Sequence, residues 1–371
     1  MSDTRKTTKP NVPNLRFPGF SGEWASRRIG EDCTVNMCKR IFANQTSEQG
    51  DVPFFKIGTI GGTPDAYITR DLFEEYKAKY NYPHEGEVMI TCAGTVGKTI
   101  VFDGEDAYFQ DSNIVWLSNP KQLYINSFLN YVLSRVNWNI LNSTTITRIY
   151  NDNLRELVIN YPSIKEQEKI VALLSLLDRR IAIQNKVIEK YESLIKALAH
   201  EIIGKNAPNT MLSECVCCTS STLKESDLSD AGAVPAYGAA GISGFTDNAL
   251  SAGDSLLITK DGSGVGSLRY VSGPHSFVGT MNSMTPRDGF YLPYIYYALH
   301  NVSFETYRTG QAIPHIYFRD YGKERIFCPG YLDQKRIAIG LERIESKMLI
   351  ERYFKEHLLS VKAYLLNALF I

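Results

Sequence analysis

The chain has 371 residues, of which 44% are hydrophobic and 22% charged, as in ordinary globular proteins large enough for two or three domains. No apolar run approaches the ~20 residues that cross a bilayer, so no membrane helix is predicted. The 40 basic and 40 acidic side chains cancel. Seven cysteines, an odd number at irregular spacing, argue against a disulfide framework and favour a reducing cytoplasm.

The polar segment 1–14 is predicted to be a disordered leader, because it lacks the apolar core of a secretory signal. Residues 15–162 are predicted to form a mixed head rich in strands, since short β-prone runs alternate with turn-forming Gly, Asn, Asp and Pro. One amphipathic helix is predicted from Ser127 to Leu141. The predicted strands are Phe54–Ile57, Glu87–Thr91, Thr99–Phe102 and Asn113–Trp116.

The segment 163–205 is predicted to be a single long helix. From Ile170 to Ile202 its apolar residues recur at alternating steps of three and four, a heptad-like seam interrupted by the polar Gln184. At 1.5 Å per residue, such a helix spans about 55–60 Å. A helical hairpin that only closes a hydrophobic core is the simpler alternative.

The second half of the chain repeats the first about 167 positions later. Residues 206–330 are predicted to form a second head, with a helix at 292–301, and residues 331–371 a second long helix. The repeat is too long for a solenoid unit and indicates a duplicated domain. The clearest matches are Val88–Gly97 with Leu256–Gly266, Ile146–Tyr150 with Ile313–Tyr317, and Pro162–Ile170 with Pro329–Ile337.

The two long helices are expected to pack on each other. Gln184 and Glu351 occupy equivalent positions of the repeat, and a matched polar pair within an apolar seam fixes helix register. Gly340 stands where the first copy has Leu173, at a cost of up to ~1 kcal/mol relative to alanine, but tertiary packing should preserve the helix. The predicted packing residues are Ile170, Leu177, Ile181, Gln184, Ile188, Ile344, Met348, Glu351, Leu358 and Leu365.

Motifs typical of enzymes are incomplete in this chain. The segment Cys92–Thr99 differs from a phosphate-binding loop at its first position, where cysteine replaces glycine, and the repeat has no lysine after Gly266. The cluster Cys215–Cys218 has no counterpart in the first head, so incidental thiols are favoured over a metal site. No acid pair or nucleophile–base set recurs in both heads, and the chain is expected to be non-catalytic.

Local charge also limits the possible functions. Residues 11–162 carry 14 basic and 17 acidic side chains, and residues 207–332 carry 8 and 11, so each head is slightly acidic. Phosphate attraction normally dominates DNA affinity. A DNA-binding role would therefore need local basic patches or a basic partner.

Together these motifs resemble the specificity subunit of Type I DNA restriction–modification systems. The resemblance covers almost the whole chain: an opening of the type Leu15–Trp24, a head, a helix that begins with a Pro…Glu-Gln-x-x-Ile motif at 162–170, and then a second copy of both. The second helix motif is degraded, with Asp333 and Lys335 replacing glutamates. The two partner sites are therefore expected to be unequal.

The resemblance implies an α+β fold: two similar mixed α/β target-recognition domains, separated by two long antiparallel helices that form a coiled coil, with a pseudo-two-fold internal repeat. Each head would read one half of a bipartite, asymmetric DNA target, and the helices would set the spacer between the halves. The implied partners are double-stranded DNA, two methyltransferase subunits and, in the full complex, restriction subunits. No cofactor is expected in this chain; S-adenosylmethionine and ATP with Mg²⁺ are expected on the partner subunits.

Base reading is expected from polar side chains in or beside the repeated glycine-rich turn and the repeated Ile-x-x-Ile-Tyr loop. Arg148 and His315 occupy equivalent positions with different polar groups, which suits two different half-sites, although a simple loop histidine is an alternative for His315. Two rival functions are a protein–protein scaffold and a free-standing enzyme. The predicted DNA-binding residues are Lys98, Thr145, Thr147 and Arg148 in the first head, and Lys260, Arg269, Arg308, Gln311 and His315 in the second.

Overall fold

A computed structural model describes residues 11–138, 148–262, 264–310 and 313–371. The chain divides into two compact units, and the division crosses both long helices. The first unit comprises residues 1–182 and 356–371, and the second comprises residues 183–355. Each unit therefore contains one head and a part of each long helix.

The described part of the first head holds nine strands and four short helices. The strands β1–β9 are Ala25–Arg28, Thr34–Met37, Val52–Phe55, Tyr67–Ile68, Val88–Thr91, Thr99–Val101, Tyr108–Phe109, Ile114–Ser118 and Val158–Tyr161. The helices α1–α4 are Ile29–Asp32, Arg70–Lys79, Asn126–Ser134 and Asn151–Glu156, and a 3₁₀ turn covers Ala43–Gln45. An antiparallel sheet has the order β2-β8-β5-β6, a smaller sheet has the order β4-β3-β7 with β3 and β7 parallel, and β1 pairs with β9.

The second head repeats this topology strand for strand. Its main sheet has the order β11-β17-β14-β15, its smaller sheet has the order β13-β12-β16 with β12 and β16 parallel, and β10 pairs with β18. The strands β10–β18 are Thr210–Met211, Val216–Ser220, Val234–Gly238, Gly241–Thr246, Ser255–Thr259, Leu268–Val271, Ser276–Phe277, Met281–Pro286 and Arg325–Ile326. The helices α6–α8 are Leu212–Cys215, Leu292–Leu299 and Phe318–Tyr321, with 3₁₀ turns at Glu225–Asp227 and Phe304–Tyr307.

The long helices are α5, Ile164–Ala199, and α9, Tyr331–Leu369. α9 passes through Gly340 without a break, as expected if packing outweighs the poor helix propensity of glycine. A π-helical turn, His200–Gly204, follows α5. This turn shifts the apolar seam by one residue, so Ile203 is buried and Ile202 is exposed, contrary to the predicted seam.

Other predicted boundaries also differ from the structure, most of them by one or two residues. The helix predicted at 127–141 ends at Ser134, and residues 139–147 lie outside the described part of the chain. The apolar periodicity continues through Val136, but that side chain packs against the head core from non-helical backbone. The strand predicted at 54–57 spans Val52–Phe55, and the helix predicted at 292–301 ends at Leu299.

A buried glutamine joins each long helix to its own head. Gln167 accepts a hydrogen bond from the Ile125 amide at 2.8 Å and donates to the carbonyls of Leu123 and Pro162, both at 3.0 Å. Its repeat equivalent Gln334 makes the same kinds of bonds in the second head. This glutamine belongs to the Pro…Gln motif of both copies, and its hydrogen bonds explain why the motif accompanies a helix that leaves a head.

The equivalent bonds of Gln334 involve three main-chain groups. It accepts from the Tyr291 amide at 2.9 Å and donates to the carbonyls of Pro329 and Gly289 at 2.9 and 3.5 Å. Both glutamines are buried, so these bonds replace the hydrogen bonds to water that each side-chain amide loses on folding.

Candidate functional site

In each head, the repeated glycine-rich segment is the turn of an antiparallel hairpin. It connects β5 to β6 in the first head and β14 to β15 in the second. The Gly97 amide donates to the Thr91 carbonyl at 2.8 Å, and the Gly266 amide donates to the Thr259 carbonyl at 2.9 Å. A phosphate-binding loop leads from a strand into a helix, whereas these turns lead into an antiparallel strand.

An aromatic residue packs against the equivalent glycine in both turns. Gly97 has φ +82°, and a Cβ added there would lie 2.0 Å from Trp138. Gly266 has φ +85°, and a Cβ there would lie 2.7 Å from Phe304. Glycine is therefore required for two reasons: the backbone conformation, and the close contact with the Trp138 ring in the first head and with the Phe304 Cβ in the second.

The described part of the second repeated motif, the Ile-x-x-Ile-Tyr loop, lies against this turn in both heads. The Ile149 amide donates to the Cys92 carbonyl at 2.9 Å, and the Ile316 amide donates to the Lys260 carbonyl at 2.9 Å. Both isoleucine side chains are buried, at 2% and 1% exposure. The fold thus joins two segments that are more than 50 residues apart in sequence, and we call each joined pair a turn–loop site.

Arg148 is half-buried at the first turn–loop site. Its Nη2 donates to the Ser112 hydroxyl at 3.3 Å, and its guanidinium carbon lies 5.9 Å from the ring centre of Tyr150. Burial raises the pKa of the nearby Cys92 thiol to about 12, although the positive charge of Arg148 acts in the opposite direction. Thr145 and Thr147 lie outside the described residues.

Lys98 follows the glycine-rich turn and is exposed, but its ammonium group donates to the Ile60 carbonyl. That bond uses one of the three ammonium protons and ties the turn to the segment that follows β3. Two protons remain for another acceptor. Lys98 is therefore both a structural contact and a candidate ligand-binding group.

In the second head, the loop that carries His315 is joined to Lys260, because the amide of the next residue, Ile316, donates to the Lys260 carbonyl. Gln311 lies outside the described residues. The main chain of His315 pairs with that of Thr309, with N–O distances of 2.8 and 2.9 Å. The His315 ring lies 5.0 Å from the Tyr317 ring, centre to centre.

The remaining two predicted residues of this head are placed differently. Arg308 is exposed next to Thr309, and it forms an ion pair with Glu305 at 2.8 Å. Arg269 lies in β15, where its backbone is opposite Leu257. The structure therefore places Arg308 next to the residue that pairs with His315, and Arg269 in the strand that follows the glycine-rich turn.

Sequence reasoning did not select the tyrosine that ends each loop. Tyr150 and Tyr317 are 60% and 45% exposed. Arg319, which was also not selected, lies over the Tyr317 ring, with its guanidinium carbon 4.7 Å from the ring centre. The signal that could have identified the tyrosines is their identity in both copies of the motif.

The predicted helix-packing residues divide between the two units. In the first unit, Asp178 accepts from the Tyr131 hydroxyl at 2.7 Å and also pairs with Lys362 of α9. In the second unit, Gln184 is hydrogen-bonded to Glu351. Ile170, Leu177 and Leu365 pack in the core of the first unit, Ile188, Ile344 and Met348 pack in that of the second, and Ile181 and Leu358 are half-buried.

The described residues contain no group of three or more His, Cys, Asp or Glu side chains that could hold a metal ion. Cys215 lies near Cys328, with the two sulfurs 3.7 Å apart, and all seven cysteines are free thiols. Within the same described part of the chain, no helix has the length and apolarity needed to span a membrane.

The fold resembles that of an S subunit of a Type I restriction–modification system. It matches the crystal structure of the S subunit from M. genitalium with a TM-score of 0.62 and 20% identity, over 97% of this chain and 99% of that chain. A second match, to a structure concerned with assembly and conformational transition of a type I restriction–modification system, has a TM-score of 0.50 and 16% identity, over 96% of this chain and 98% of that chain.

The sequence comparison gives a family match over slightly less than half of the chain. Residues 21–193 match the family described as Type I restriction modification DNA specificity domain, in agreement with the resemblance. A Haemophilus influenzae protein that bears the name of a type I restriction enzyme specificity subunit is 48% identical over 161 residues. That alignment covers 43% of this chain and 41% of the relative, so it spans less than half of either protein.

Proposed function

We propose that this chain is the DNA-recognition subunit of a Type I restriction–modification complex. The observation that carries the proposal is the DNA specificity domain at residues 21–193. The second head supports it, because that head has the same strand order and the same turn–loop site. Duplication of the site suits a target made of two half-sites.

Each head reads one half-site in the major groove, using the polar groups of its turn–loop site. Arginine pairs well with guanine, whereas a neutral histidine ring offers one donor and one acceptor. Arg148 and His315 stand at equivalent positions, so the two heads present different hydrogen-bonding groups to DNA. This difference makes the target asymmetric.

The helices α5 and α9 dock two methyltransferase subunits and set the spacer between the half-sites. Ile350 and Tyr353, 66% and 78% exposed on α9, are apolar groups available to a partner. Restriction subunits join in the full complex. The partners bind S-adenosylmethionine and ATP with Mg²⁺, and this chain itself is non-catalytic. Free thiols at all seven cysteines fit a place in the reducing cytoplasm.

Partner subunits also supply much of the phosphate contact. The heads carry more acidic than basic side chains, so the isolated chain has little long-range attraction for DNA. We expect weak DNA binding by the chain alone and tight, sequence-specific binding once methyltransferase is added. Gel-shift titrations at a fixed salt concentration measure both, and nanomolar specific binding by the isolated chain would contradict this division of roles.

Mapping of methylated adenines in cells that express the chain with its methyltransferase tests the main proposal. The expected result is methylation at a bipartite, asymmetric sequence with a constant spacer. Deletion of one heptad within α5 should change that spacer, while a substitution at the exposed Asn185 should leave it unchanged. Methylation with no bipartite sequence, or with the same spacer after the deletion, would contradict the proposal.

A further inference from the structure

The two loop tyrosines share one backbone setting in the two heads. Each directly follows a buried isoleucine whose amide is bonded to the glycine-rich turn. Each also directly precedes a short helix, with φ −96° and ψ 155° at Tyr150 and φ −118° and ψ 136° at Tyr317. The main chain therefore presents an exposed phenol at the same place in each turn–loop site.

A guanidinium group lies beside each phenol, but it comes from a different position in the chain. Arg148 precedes its tyrosine by two residues, and Arg319 follows its tyrosine by two residues. A cation over an aromatic ring restrains the ring and places positive charge next to the hydroxyl. The combination of a hydroxyl donor and a guanidinium suits an anionic ligand such as a phosphodiester.

The exposed tyrosine is identical in the two loops, as is the buried isoleucine before it. The group two positions before the tyrosine is an arginine in one head and a histidine in the other. If the heads read different bases, a side chain common to both is poorly suited to base selection. Contacts to phosphate position a protein on DNA and carry no direct sequence information.

We propose that the Tyr150 and Tyr317 hydroxyls each donate a hydrogen bond to a phosphodiester oxygen of the DNA strand. This contact is independent of sequence and positions the turn–loop site, so that Arg148 or His315 can reach the bases. The inference rests on the proposed function and assigns these two residues a role in it.

The test compares Tyr150→Phe and Tyr317→Phe in the complex with methyltransferase. DNA affinity is measured for three duplexes at several salt concentrations. One duplex carries the sequence that the complex methylates, and each of the other two has one of its half-sites replaced. We expect each variant to lose roughly tenfold in affinity for all three duplexes, since a hydrogen bond to a charged group is lost. The ratio between duplexes should not change. The slope of log affinity against log salt should also not change, because a neutral hydroxyl displaces no counterion.

Tyr80→Phe is the matched control, because Tyr80 follows α2 in the first head, outside both turn–loop sites, and also has a cation beside its ring, with the Lys79 ammonium 5.5 Å from the ring centre. It should bind all three duplexes as the unmodified chain does. Unchanged thermal unfolding midpoints establish that the variants fold. A loss confined to the target sequence would overturn the inference in favour of base reading, and unchanged binding by both loop variants would overturn it outright. If the unmodified complex does not discriminate among the duplexes, the proposed function fails and the inference fails with it.

Discussion

Gln184 and Glu351, equivalent residues of the two repeats, are hydrogen-bonded to each other. The Gln184 amide Nε2 donates to the Glu351 main-chain carbonyl at 3.2 Å and also to its carboxylate. Gln184 is buried in an otherwise apolar seam. Because a buried polar group needs its partner, this pair opposes sliding of one helix along the other.

Replacement of Gln184 by alanine should therefore destabilise the protein by about 1–3 kcal/mol, the usual range for loss of a hydrogen bond to a charged group. Asn185→Ala, at the neighbouring exposed position, is the control and should have little effect. Urea unfolding of both variants, and of Glu351→Ala with and without the first change, measures the coupling between the two residues. A coupling energy of zero would show that the bond contributes nothing.

Loss of either helix-start glutamine should also be costly. Gln167→Ala leaves one amide and two carbonyls without their partner, and we expect about 2–3 kcal/mol of destabilisation. Gln334→Ala should cost less, because one of its three bonds is 3.5 Å long. Thermal and urea unfolding provide the measurement, with the exposed Lys169→Ala as control. Equal stability of Gln167→Ala and Lys169→Ala would contradict the structural role.

The close contact between Gly97 and the Trp138 ring in the first turn–loop site can be tested by substitution. Gly97→Ala combines an unfavourable positive φ with a clash against Trp138, and should destabilise the protein by about 3 kcal/mol. Gly22 has φ +80° and no atom within 4 Å of an added Cβ, so Gly22→Ala isolates the cost of the φ angle, about 1 kcal/mol. Urea unfolding compares the two variants. Equal losses would show that the ring does not restrict this position.

The rate at which the Cys92 thiol is alkylated should report on burial at the same site. Burial raises its pKa to about 12, so the protonated form is favoured in the folded state and the reactive thiolate is scarce between pH 7 and 9. The stabilisation that comes from this protonated thiol is present below the unfolded pKa of ~8.5 and is lost as pH rises toward 12. Mass spectrometry after iodoacetamide treatment should show slow alkylation of Cys92 at pH 9 in the native chain and rapid alkylation in urea. Rapid native alkylation would refute burial at this site.

Base selection by the first head can be tested at Arg148. In the complex with methyltransferase, Arg148→Ala should relax or abolish the requirement for one half-site, with a loss of discrimination of about 1–3 kcal/mol. The other half-site should remain required. His315→Ala is the matched change in the second head and should give the reverse pattern. Methylation of a library of half-site variants reports both, and simultaneous loss of both requirements would point to a folding defect.

Some of this architecture could be predicted from local pattern alone. The 167-residue offset predicts two heads of one topology and pairs Gln184 with Glu351, because duplicated sequence preserves hydrophobic period and turn chemistry. The heptad-like spacing predicts both long helices to within a few residues. The same spacing wrongly predicts that Ile202 belongs to the apolar seam, because the periodic pattern does not reveal the π-helical turn.

Tertiary structure decided how the candidate site is assembled. Cys92 and Ile149 belong to separate motifs, and only the folded head brings the amide of one to the carbonyl of the other. The ring of Trp138 over Gly97 is equally non-local, and so is the exposure that distinguishes Tyr150 from the buried Ile149 before it. A sequence records which residues prefer burial or a turn. Which distant segments share a surface depends on the packing of the whole head, because those contacts form only when the intervening chain has folded.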